Sequence, residues 1–562
     1  MLIRKFCFFI IAAVLSGLYS CNVTDDGDDE SGEVTIEGIE EDSDYHLSGS
    51  DSTVIELNGT SVSVNGEGVS VSGSEVTIEN QGTYYISGTL SNGQIKVKTD
   101  DEGVVQLVLK GVEITNTSTS PLFVDKAVKV VLMLSEGSNN TFTDGASYSD
   151  TDEGQNAAIY SQSYLSIFGE GNLTVTGKYK DGITGKDGFV IKSGNLNVTA
   201  ADDGIRGKDY LHIYQGNITV VSGGDGIISD NEDSESTGII LIENGTFNIT
   251  AGGDGINAAS ALSIQSGTFD VTSGGGSSKT VSSAYSAKAL KASTTISLTG
   301  DFILSAAEDA IHSNGDITIN SGSYIISAAD DGIHATNNIV INSGDISITK
   351  SEEGIEGKFI TYNSGNISIV ANDDANNSTA GHRTEANDGS YTYINGGTLI
   401  LNSATGDPLD SNGSISMTGG TVIIHGPKSQ PEVPIDYNGT FNLDNGILIA
   451  SGPSSNMTQV PGSSSKQNTL GIMFRSSKST STLFNIQDES GNSLVTFQPA
   501  RSYSVMIFSS ADLVKEKTYT IYSGGTSTGI NNSGLYTGGT YSGGTAVKTF
   551  TISNTITTFS GL

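Results

Sequence analysis

Acidic residues that precede a small residue and an isoleucine recur along this chain, and they are its clearest candidates for chemistry. Most neighbouring copies are 22 residues apart. Carboxylate oxygens are the ligands that Ca²⁺ prefers, because this ion takes about six to eight oxygen donors in flexible geometry. One Asp-Asp-Gly alone is simply a good turn, so the metal hypothesis depends on the repetition. The repeated acids are Asp181, Asp203, Asp225, Asp254, Asp309, Asp331 and Glu353.

Several of these acids form a doublet with the preceding residue, which brings two carboxylates to one turn. If the repeats stack, equivalent acids lie about 4.8 Å apart, the spacing of neighbouring strands. Like charges at that distance raise the pKa of some carboxyls or require a cation between them. We therefore predict calcium ligands among Asp202, Asp203, Asp225, Asp254, Asp309, Asp330, Asp331, Glu352 and Glu353.

The residue after each isoleucine should point outward, because side chains alternate along a strand. This outward file is polar and partly basic, and lysines follow two positions later in some copies. Such residues could line a groove for an anionic or hydroxyl-rich polymer. They could equally form a solvated face that screens the acids, and the sequence leaves both alternatives open. The candidate ligand-binding residues are Lys186, Arg206, Lys208, His312, His334 and Lys358.

One repeat, "DGIRGKDYLHIYQGNITVVSGG" from Asp203, shows how such residues would be positioned. Its aliphatic residues form three clusters with a spacing of two, the strand period, separated by glycine or polar corners. Three strands and three turns describe one coil of a parallel β-helix, and the chirality of strand connections favours a right-handed one. A calcium-binding roll would repeat about every nine residues and a propeller about every forty. The sequence therefore predicts an all-β, right-handed parallel β-helix.

Two departures interrupt the regular spacing. The interval from Asp225 to Asp254 is longer by an insertion, "SDNEDSESTG", and Lys288 stands where the next acid should be. Asp374 extends the series, although an asparagine replaces its isoleucine.

Composition limits the classes of function. The net charge of −36 argues against nucleic-acid binding, which needs clustered Lys and Arg. It also suggests cations as ligands, and the alternative is that an acidic surface simply keeps an extracellular protein soluble. The only cysteines are Cys7 and Cys21, and both lie in the first 21 residues. No cysteine then remains in the body of the chain for a disulfide, a cysteine zinc site or a thiol nucleophile.

The N-terminus has the features of an export signal, with a basic start, an apolar run and small residues before Cys21. "LYSC" resembles a bacterial lipobox, and the acidic stretch "NVTDDGDDE" resembles surface-export signals of Bacteroidetes lipoproteins. The resemblance implies a lipid on Cys21 and a position at the outer membrane or cell surface. The protein would be attached to the membrane only through that lipid anchor. Ordinary secretion with an acidic tail is the alternative.

Several stretches together resemble carbohydrate-binding domain-containing proteins of cellulolytic anaerobes. They are "GTYYISGTLSNGQIKVKTDDEGVVQLVLKGVEIT", "LSEGSNNTFTDG", "GEGNLTVTG" and the "DGI.GKD" coils. That family is similar in fold and calcium arrangement to family 9 polysaccharide lyases. The resemblance implies a right-handed β-helix, bound Ca²⁺ and binding of cellulosic or pectic polysaccharide without clear catalysis. By motif match, its calcium ligands would be Asp202, Asp203, Asp225 and Asp230.

Two other classes of function stay open. A calcium-dependent pectate-lyase-like enzyme would need a base, for which Lys208, Lys186 or Arg206 are the candidates, although neighbouring carboxylates raise a lysine pKa. A structural stalk or adhesin would need no ligand at all. The partner proteins cannot be read from the sequence.

The chain divides by composition into four parts. We predict a signal at 1–20, an acidic tether at 21–50, a β-helix at 51–450 and a small β-domain or cap at 451–562 with a glycine-rich loop. A cap is required because an open end would expose the core and an unpaired strand edge.

Overall fold

The chain folds into short β-strands that pair mostly in parallel, and the all-β prediction is confirmed. Within the part described, the only helical element is the short 3₁₀ turn Asp42–Tyr45, and no helix there is long and apolar enough to cross a membrane. The predicted signal and Cys21 lie outside the described residues. The structure is a computed structural model that describes residues 36, 38–47, 52–149, 154–234, 236–282, 285–381 and 386–562.

One turn of the chain uses three strands, as the repeat predicts. Ile205–Gly207, Tyr210–Ile213 and Asn217–Ser222 follow one another around a coil, and the chain then returns to the first side at Ile227–Ser229. Each strand pairs in parallel with its equivalent one coil later. This arrangement is consistent with the predicted parallel β-helix, and it creates three faces of stacked strands.

The first face carries the acidic corners, which precede its strands. Pairing along it is parallel throughout. Its strands are Glu75–Ile78, Gln94–Lys98, Leu122–Lys126, Ala157–Ser161, Asp181–Gly185, Ile205–Gly207, Ile227–Ser229, Ile256–Ala258, Leu290–Ala292, Ile311–Ser313, Ile333–Ile341, Ile355–Tyr362, Asn376–Ser378 and Leu409–Ser411.

The second face follows the first around each coil and is also parallel. The ends of Ile333–Ile341 and Ile355–Tyr362 continue into it from the first face. Its other strands are Val104–Thr115, Lys129–Leu134, Tyr164–Gly169, Gly188–Ile191, Tyr210–Ile213, Ile239–Ile242, Ala261–Ile264, Thr295–Ala306, Asp316–Ala328, Tyr391–Ile394, Ser414–Met417 and Phe441–Leu443.

The third face completes the coil, and the long strands Val104–Thr115, Thr295–Ala306 and Asp316–Ala328 run into it from the second. Its pairing is parallel. Its other strands are Asn139–Thr143, Asn172–Gly177, Asn195–Ala200, Asn217–Ser222, Thr246–Ala251, Thr268–Ser273, Asp345–Lys350, Asn366–Ala371, Thr398–Ser403, Thr421–His425 and Ile447–Gly452.

Antiparallel pairing appears at both ends of the stack. At the start, Ser52–Gly59 pairs with Val62–Asn65, Val69–Ser72 pairs with Glu75–Ile78, and Gly82–Ser91 leads into the parallel part. At the other end, Tyr503–Ser509 runs antiparallel to Ile447–Gly452. The remaining strands are Thr469–Lys478 and Ile556–Ser560 beside it, and the separate six-stranded sheet of Phe484–Asp488, Ser493–Phe497, Thr518–Ser527, Ile530–Asn532, Leu535–Thr537 and Tyr541–Thr551.

The core is a set of stacked aliphatic and aromatic files. The isoleucine of each acidic repeat is fully buried, and Leu290 takes its place in the coil of Lys288. On the third face, rings stack through four coils with centroid separations of 4.6, 4.7 and 4.9 Å. These rings belong to Phe247, Phe269, Phe302 and Tyr324.

The small residue after each acid is required by close packing between coils rather than by backbone conformation. Gly204 does not have a positive φ. A Cβ there would lie 2.3 Å from Val220 Cγ1 and 2.5 Å from the carbonyl oxygen of Gly226 on the next coil. Alanine stands at the equivalent positions 289 and 310, so the packing can adjust to a methyl group there.

The insertion predicted after Asp225 leaves the register intact. The insertion falls between the strands Ile227–Ser229 and Ile239–Ile242, and the backbone N–H groups of Asn231 and Gly238 still donate to the preceding coil. On either side of the insertion the strands pair as in the other coils, since Ile227 is opposite Ile256 and Tyr210 is opposite Ile239.

Replacing a stacked ring should destabilise the protein far more than replacing its outward neighbour. We expect Phe269→Ala to lower the free energy of unfolding by about 3–5 kcal/mol, because it leaves a cavity in the core. Ile303→Ala is the control: Ile303 is 50% exposed on the same face, and its loss should change stability by less than about 0.5 kcal/mol. Urea unfolding followed by circular dichroism measures both, and equal losses would contradict the packing.

Candidate functional site

The repeated acids of the first face form a ladder of side chain to backbone hydrogen bonds. The backbone N–H of Asp225 donates to Asp203 Oδ1 at 2.7 Å, and that of Asp254 donates to Asp225 Oδ1 at 2.7 Å. Lys288 continues the ladder through its own N–H, which donates to Asp254 Oδ1 at 2.7 Å. One oxygen of each of these carboxylates therefore binds the next coil, and the other is left for a side chain or an ion.

Arg206 binds the second oxygen of several acids at once. Its guanidinium donates to Asp181 Oδ2 at 3.1 Å and also contacts Asp203 and Asp230. Asp181 is fully buried. Burial raises the pKa of Asp203 to about 7, although Arg206 opposes this shift. The guanidinium thus neutralises carboxylates from neighbouring coils, and three of the predicted site residues, Asp203, Arg206 and Asp230, meet here.

The same pairing continues along the outward file of the central coils. Asn257 Nδ2 donates to Asp225 Oδ2 at 2.8 Å, and Lys291 Nζ lies 2.9 Å from Asp254 Oδ2. His312 and His334 contact the acids of their own coils. The outward residues therefore bind the acids of the ladder, whereas Asp202, Asp330 and Glu352, the first members of their doublets, are exposed.

The predicted lysines lie beside this ladder without an ion pair within 4 Å in the described part of the chain. Lys186 is half-buried near the ring of Tyr160, and Lys358 lies over the ring of Phe359. Burial and the charge of Arg206 lower the pKa of Lys186, a direction opposite to the one expected from neighbouring carboxylates. Lys208 stands one coil from Lys186, and its backbone N–H donates to Gly185.

A second cluster of carboxylates lies further along the first face. Asp407, Asp410 and Asp436 have carboxylate oxygens within 4.8 Å of one another. Asp374, on the preceding coil, accepts a hydrogen bond of 2.6 Å from the Asp407 N–H. Among the described residues, Asp374, Asp407 and Asp410 form no ion pair with Lys, Arg or His. We refer to these four residues as the acid cluster.

Burial raises the pKa of every member for which a shift is resolved. It raises that of Asp407 to about 7 and that of Asp374 to about 10, and the nearby carboxylates add to both shifts. The pKa of Asp410 is raised well above its usual value by burial and then by Asp436 and Asp407. Ionisation of Asp374, Asp407 and Asp410 is therefore unfavourable in the folded protein.

A buried polar atom without a partner in the described part of the chain lies on the coil next to that of Asp410. Asn377 is 9% exposed and pairs in register with Glu356 on one side and Asp410 on the other. Its Nδ2 donates to Glu353 and Glu356, and its buried Oδ1 has no hydrogen-bond partner among the described residues. Carboxylates with an added amide oxygen match the donor set of Ca²⁺. The residues present therefore fit a calcium ion.

The sequence reasoning missed Asp407, Asp410 and Asp436. The signal was present as "GDPLD", in which proline and leucine replace the usual glycine and isoleucine. Leu409 pairs with Ile435, so Asp410 and Asp436 hold the outward position that Arg206 holds earlier in the chain. Irregular coil lengths hid this register.

Known proteins resemble this chain over much of its length. A family model described as carbohydrate-binding domain-containing protein matches residues 72–332 and 324–438. The chain belongs to this family. The resemblance seen in the sequence is therefore confirmed, and the match to the carbohydrate-binding domain-containing family includes the Arg206 coils and all four residues of the acid cluster.

Two relatives illustrate the extent of the similarity. A carbohydrate-binding domain-containing protein of Acetivibrio thermocellus is 40% identical over 126 residues, 22% of this chain and 44% of that protein, so the match spans less than half of the relative. A solved structure, a gadolinium derivative of the polysaccharide lyase-like protein from C. thermocellum, is 27% identical with a TM-score of 0.36. That alignment covers 52% of this chain and 96% of the other.

Removing Arg206 should destabilise the protein strongly. Arg206→Ala leaves Asp181 and Asp203 buried without their counter-ion, and breaking such a pair costs about 3–5 kcal/mol. The control is Lys466→Ala, because the side chain of Lys466 is 78% exposed and its pair with Asp444 should contribute no measurable stability. Urea unfolding measures both variants. A loss for Arg206→Ala no larger than that of the control would contradict this role.

Without divalent cations, stability should fall as the pH rises from 5 to 8. Unfolded Asp ionises near pH 4, about its reference pKa. Folded Asp407 and Asp374 have raised pKa values of about 7 and about 10, so in this window the folded state binds more protons. Stability is then lost as protons leave. We expect Asp410→Asn to flatten the fall of the melting temperature measured in EDTA, and Asp444→Asn, outside the acid cluster, to leave it unchanged. Parallel curves for wild type and Asp410→Asn would refute this assignment.

Proposed function

We propose that this chain is a calcium-stabilised, non-catalytic polysaccharide-binding lipoprotein, held at the cell surface by a lipid on Cys21. Its scaffold is a right-handed parallel β-helix of about 22-residue coils, with residues 451–562 as a small β-domain that caps the end. Its partner is an extracellular cellulosic or pectic polysaccharide, and its bound ion is Ca²⁺.

The family match carries the carbohydrate part of this proposal. The model described as carbohydrate-binding domain-containing protein covers residues 72–438 in two overlapping segments, which is most of the coiled part of the chain. The net charge of −36 is consistent with a partner other than nucleic acid.

The acid cluster supports the calcium part. Asp374, Asp407, Asp410 and Asp436 would hold the ion, and the orphaned Oδ1 of Asn377 would complete an oxygen donor set. A bound Ca²⁺ would supply positive charge to Asp374, Asp407 and Asp410, which form no ion pair with Lys, Arg or His among the described residues. Most of the earlier acids, by contrast, already have Arg206, Lys291 or histidine as partners, and Asp225 accepts a hydrogen bond from Asn257. We therefore propose the acid cluster as the principal calcium site, in preference to the Asp203 and Asp225 coils.

Lys186 and Lys208 support a surface for acidic sugars. Their coils are adjacent, because Gly185 pairs with Gly207. Neither lysine is paired with a carboxylate within 4 Å in the part of the chain described, so both ammonium groups can meet the carboxylates of a uronate polymer. A pectic glycan fits this surface better than a neutral one.

Chelation should weaken both stability and binding. We expect the full chain to migrate more slowly through gels that contain polygalacturonate, and EDTA to abolish this effect and lower the melting temperature. Asp410→Asn should reproduce the effect of EDTA because it removes one calcium ligand. Elemental analysis gives the calcium content. No bound calcium together with no effect of EDTA would remove the metal from the proposal.

Removing the lysine charges tests the glycan surface independently of the calcium site. Lys186→Ala with Lys208→Ala should reduce retardation in polygalacturonate at least several-fold while calcium content stays unchanged. The matched control is Lys515→Ala with Lys517→Ala, which removes the same charge from two exposed lysines near the C-terminus. Equal retardation of the two double variants would reject the lysine surface. Binding to insoluble cellulose in place of polygalacturonate would identify a neutral glycan as the ligand.

One observation favours a lyase as a second candidate. Burial and Arg206 lower the pKa of Lys186, which is the direction that a general base requires. Absorbance of unsaturated uronides released from pectate measures this activity directly. Activity that Lys186→Ala abolishes would establish the lyase, and a flat trace would dismiss it.

A further inference from the structure

Two adjacent coils repeat the same pairing of an acid with a histidine three residues later. Asp309 precedes His312 in one coil, and Asp331 precedes His334 in the next. The strands are in register, with His312 opposite His334. The repeat of 22 residues therefore brings two imidazoles and two carboxylates to one place on the first face.

The nitrogen and oxygen atoms of this group converge. His312 Nδ1 lies 2.7 Å from Asp309 Oδ2. His334 Nδ1 lies 3.2 Å from Asp331 Oδ2 and 3.9 Å from Asp309 Oδ2. In a tetrahedral zinc site with bonds of about 2.0–2.1 Å, neighbouring ligand atoms are about 3.3 Å apart. The observed separations scatter around that value.

We propose that His312, His334 and Asp309, with Asp331 as a fourth ligand, form a site for a divalent transition metal of the zinc class. Imidazole nitrogen suits Zn²⁺, Co²⁺ and Ni²⁺, whereas Ca²⁺ takes oxygen ligands. The site is therefore chemically distinct from the acid cluster, and it does not depend on the calcium proposal.

Burial and charge are compatible with such an ion. Asp309 and Asp331 are buried at 4% and 8% exposure, while the histidine side chains are 16% and 28% exposed, so a metal can enter from solvent. Lys288 is the cation nearest to Asp309, with its Nζ 3.9 Å from Asp309 Oδ2 and closer, at 3.1 Å, to Glu308. Asp309 Oδ1 accepts the backbone N–H of Asp331 at 3.1 Å, so Oδ2, the oxygen nearest the two histidines, is the atom that would bind the metal.

Glu356 marks the far side of the site. Its Oε1 lies 3.8 Å from His334 Nε2, the ring nitrogen that points away from Asp331. A carboxylate at that position orients a metal-bound imidazole, as such partners commonly do in zinc proteins. Glu356 is thus assigned as a positioning residue rather than a ligand.

Cobalt titration of the metal-free, untagged full chain tests the site, because tetrahedral Co²⁺ absorbs strongly in the visible range. We expect one equivalent to produce this absorption, Zn²⁺ to abolish it and excess Ca²⁺ to leave it. His312→Gln and His334→Gln should each weaken Co²⁺ binding at least tenfold. His212→Gln and Asp410→Asn are the controls and should retain the absorption. A wild type without the absorption, or folded His312→Gln and His334→Gln variants that both retain it, would overturn the proposal.

A measurement on the wild type covers the case in which the variants do not fold. Diethyl pyrocarbonate modifies accessible histidines, and mass spectrometry locates the modified residues. Zn²⁺ should protect His312 and His334 but not His46, which is exposed. Equal modification of His312 and His334 with and without Zn²⁺ would exclude them as ligands.

Discussion

The parallel strand pairing fixes the distance between equivalent residues of neighbouring coils. Side chains of like charge that recur with the period of the coil must therefore lie close together. The corner acids are the clearest case. Their carboxylates cannot separate without breaking the ladder, because the Asp225 N–H binds Asp203 and the Asp254 N–H binds Asp225. The same bonds that hold the coils together thus concentrate negative charge along one edge of the molecule.

The outward position after the isoleucine differs between the central and the later coils. In the central coils it holds side chains that pair with the acids, as Arg206 and Lys291 show. In the later coils it holds Asp410 and Asp436, which add carboxylates to the same place. The identity of one residue per coil therefore decides whether that coil adds a positive or a negative charge to the first face.

The sequence was sufficient to predict the period, the buried isoleucines and the place of Lys288 in the acid register, because these depend on spacing alone. It was not sufficient to predict that Arg206 joins acids of neighbouring coils, since that contact depends on side-chain reach and burial. Nor did it locate the Asp407 coil, where the intervals are irregular and proline follows the acid. It also assigned Gly204 to a turn, whereas close contact with Val220 and Gly226 explains that glycine.

The insertion at 230–238 has a wider consequence. Because the strands on both sides of it keep their partners, the length of a corner segment and the spacing of the ladder are independent variables. Surface segments can be lengthened, shortened or exchanged while the ladder of acids on the first face keeps its geometry. A scaffold of this kind is modular: its recognition surfaces can diversify in evolution, or be redesigned, without altering the chemistry that keeps its coils in register.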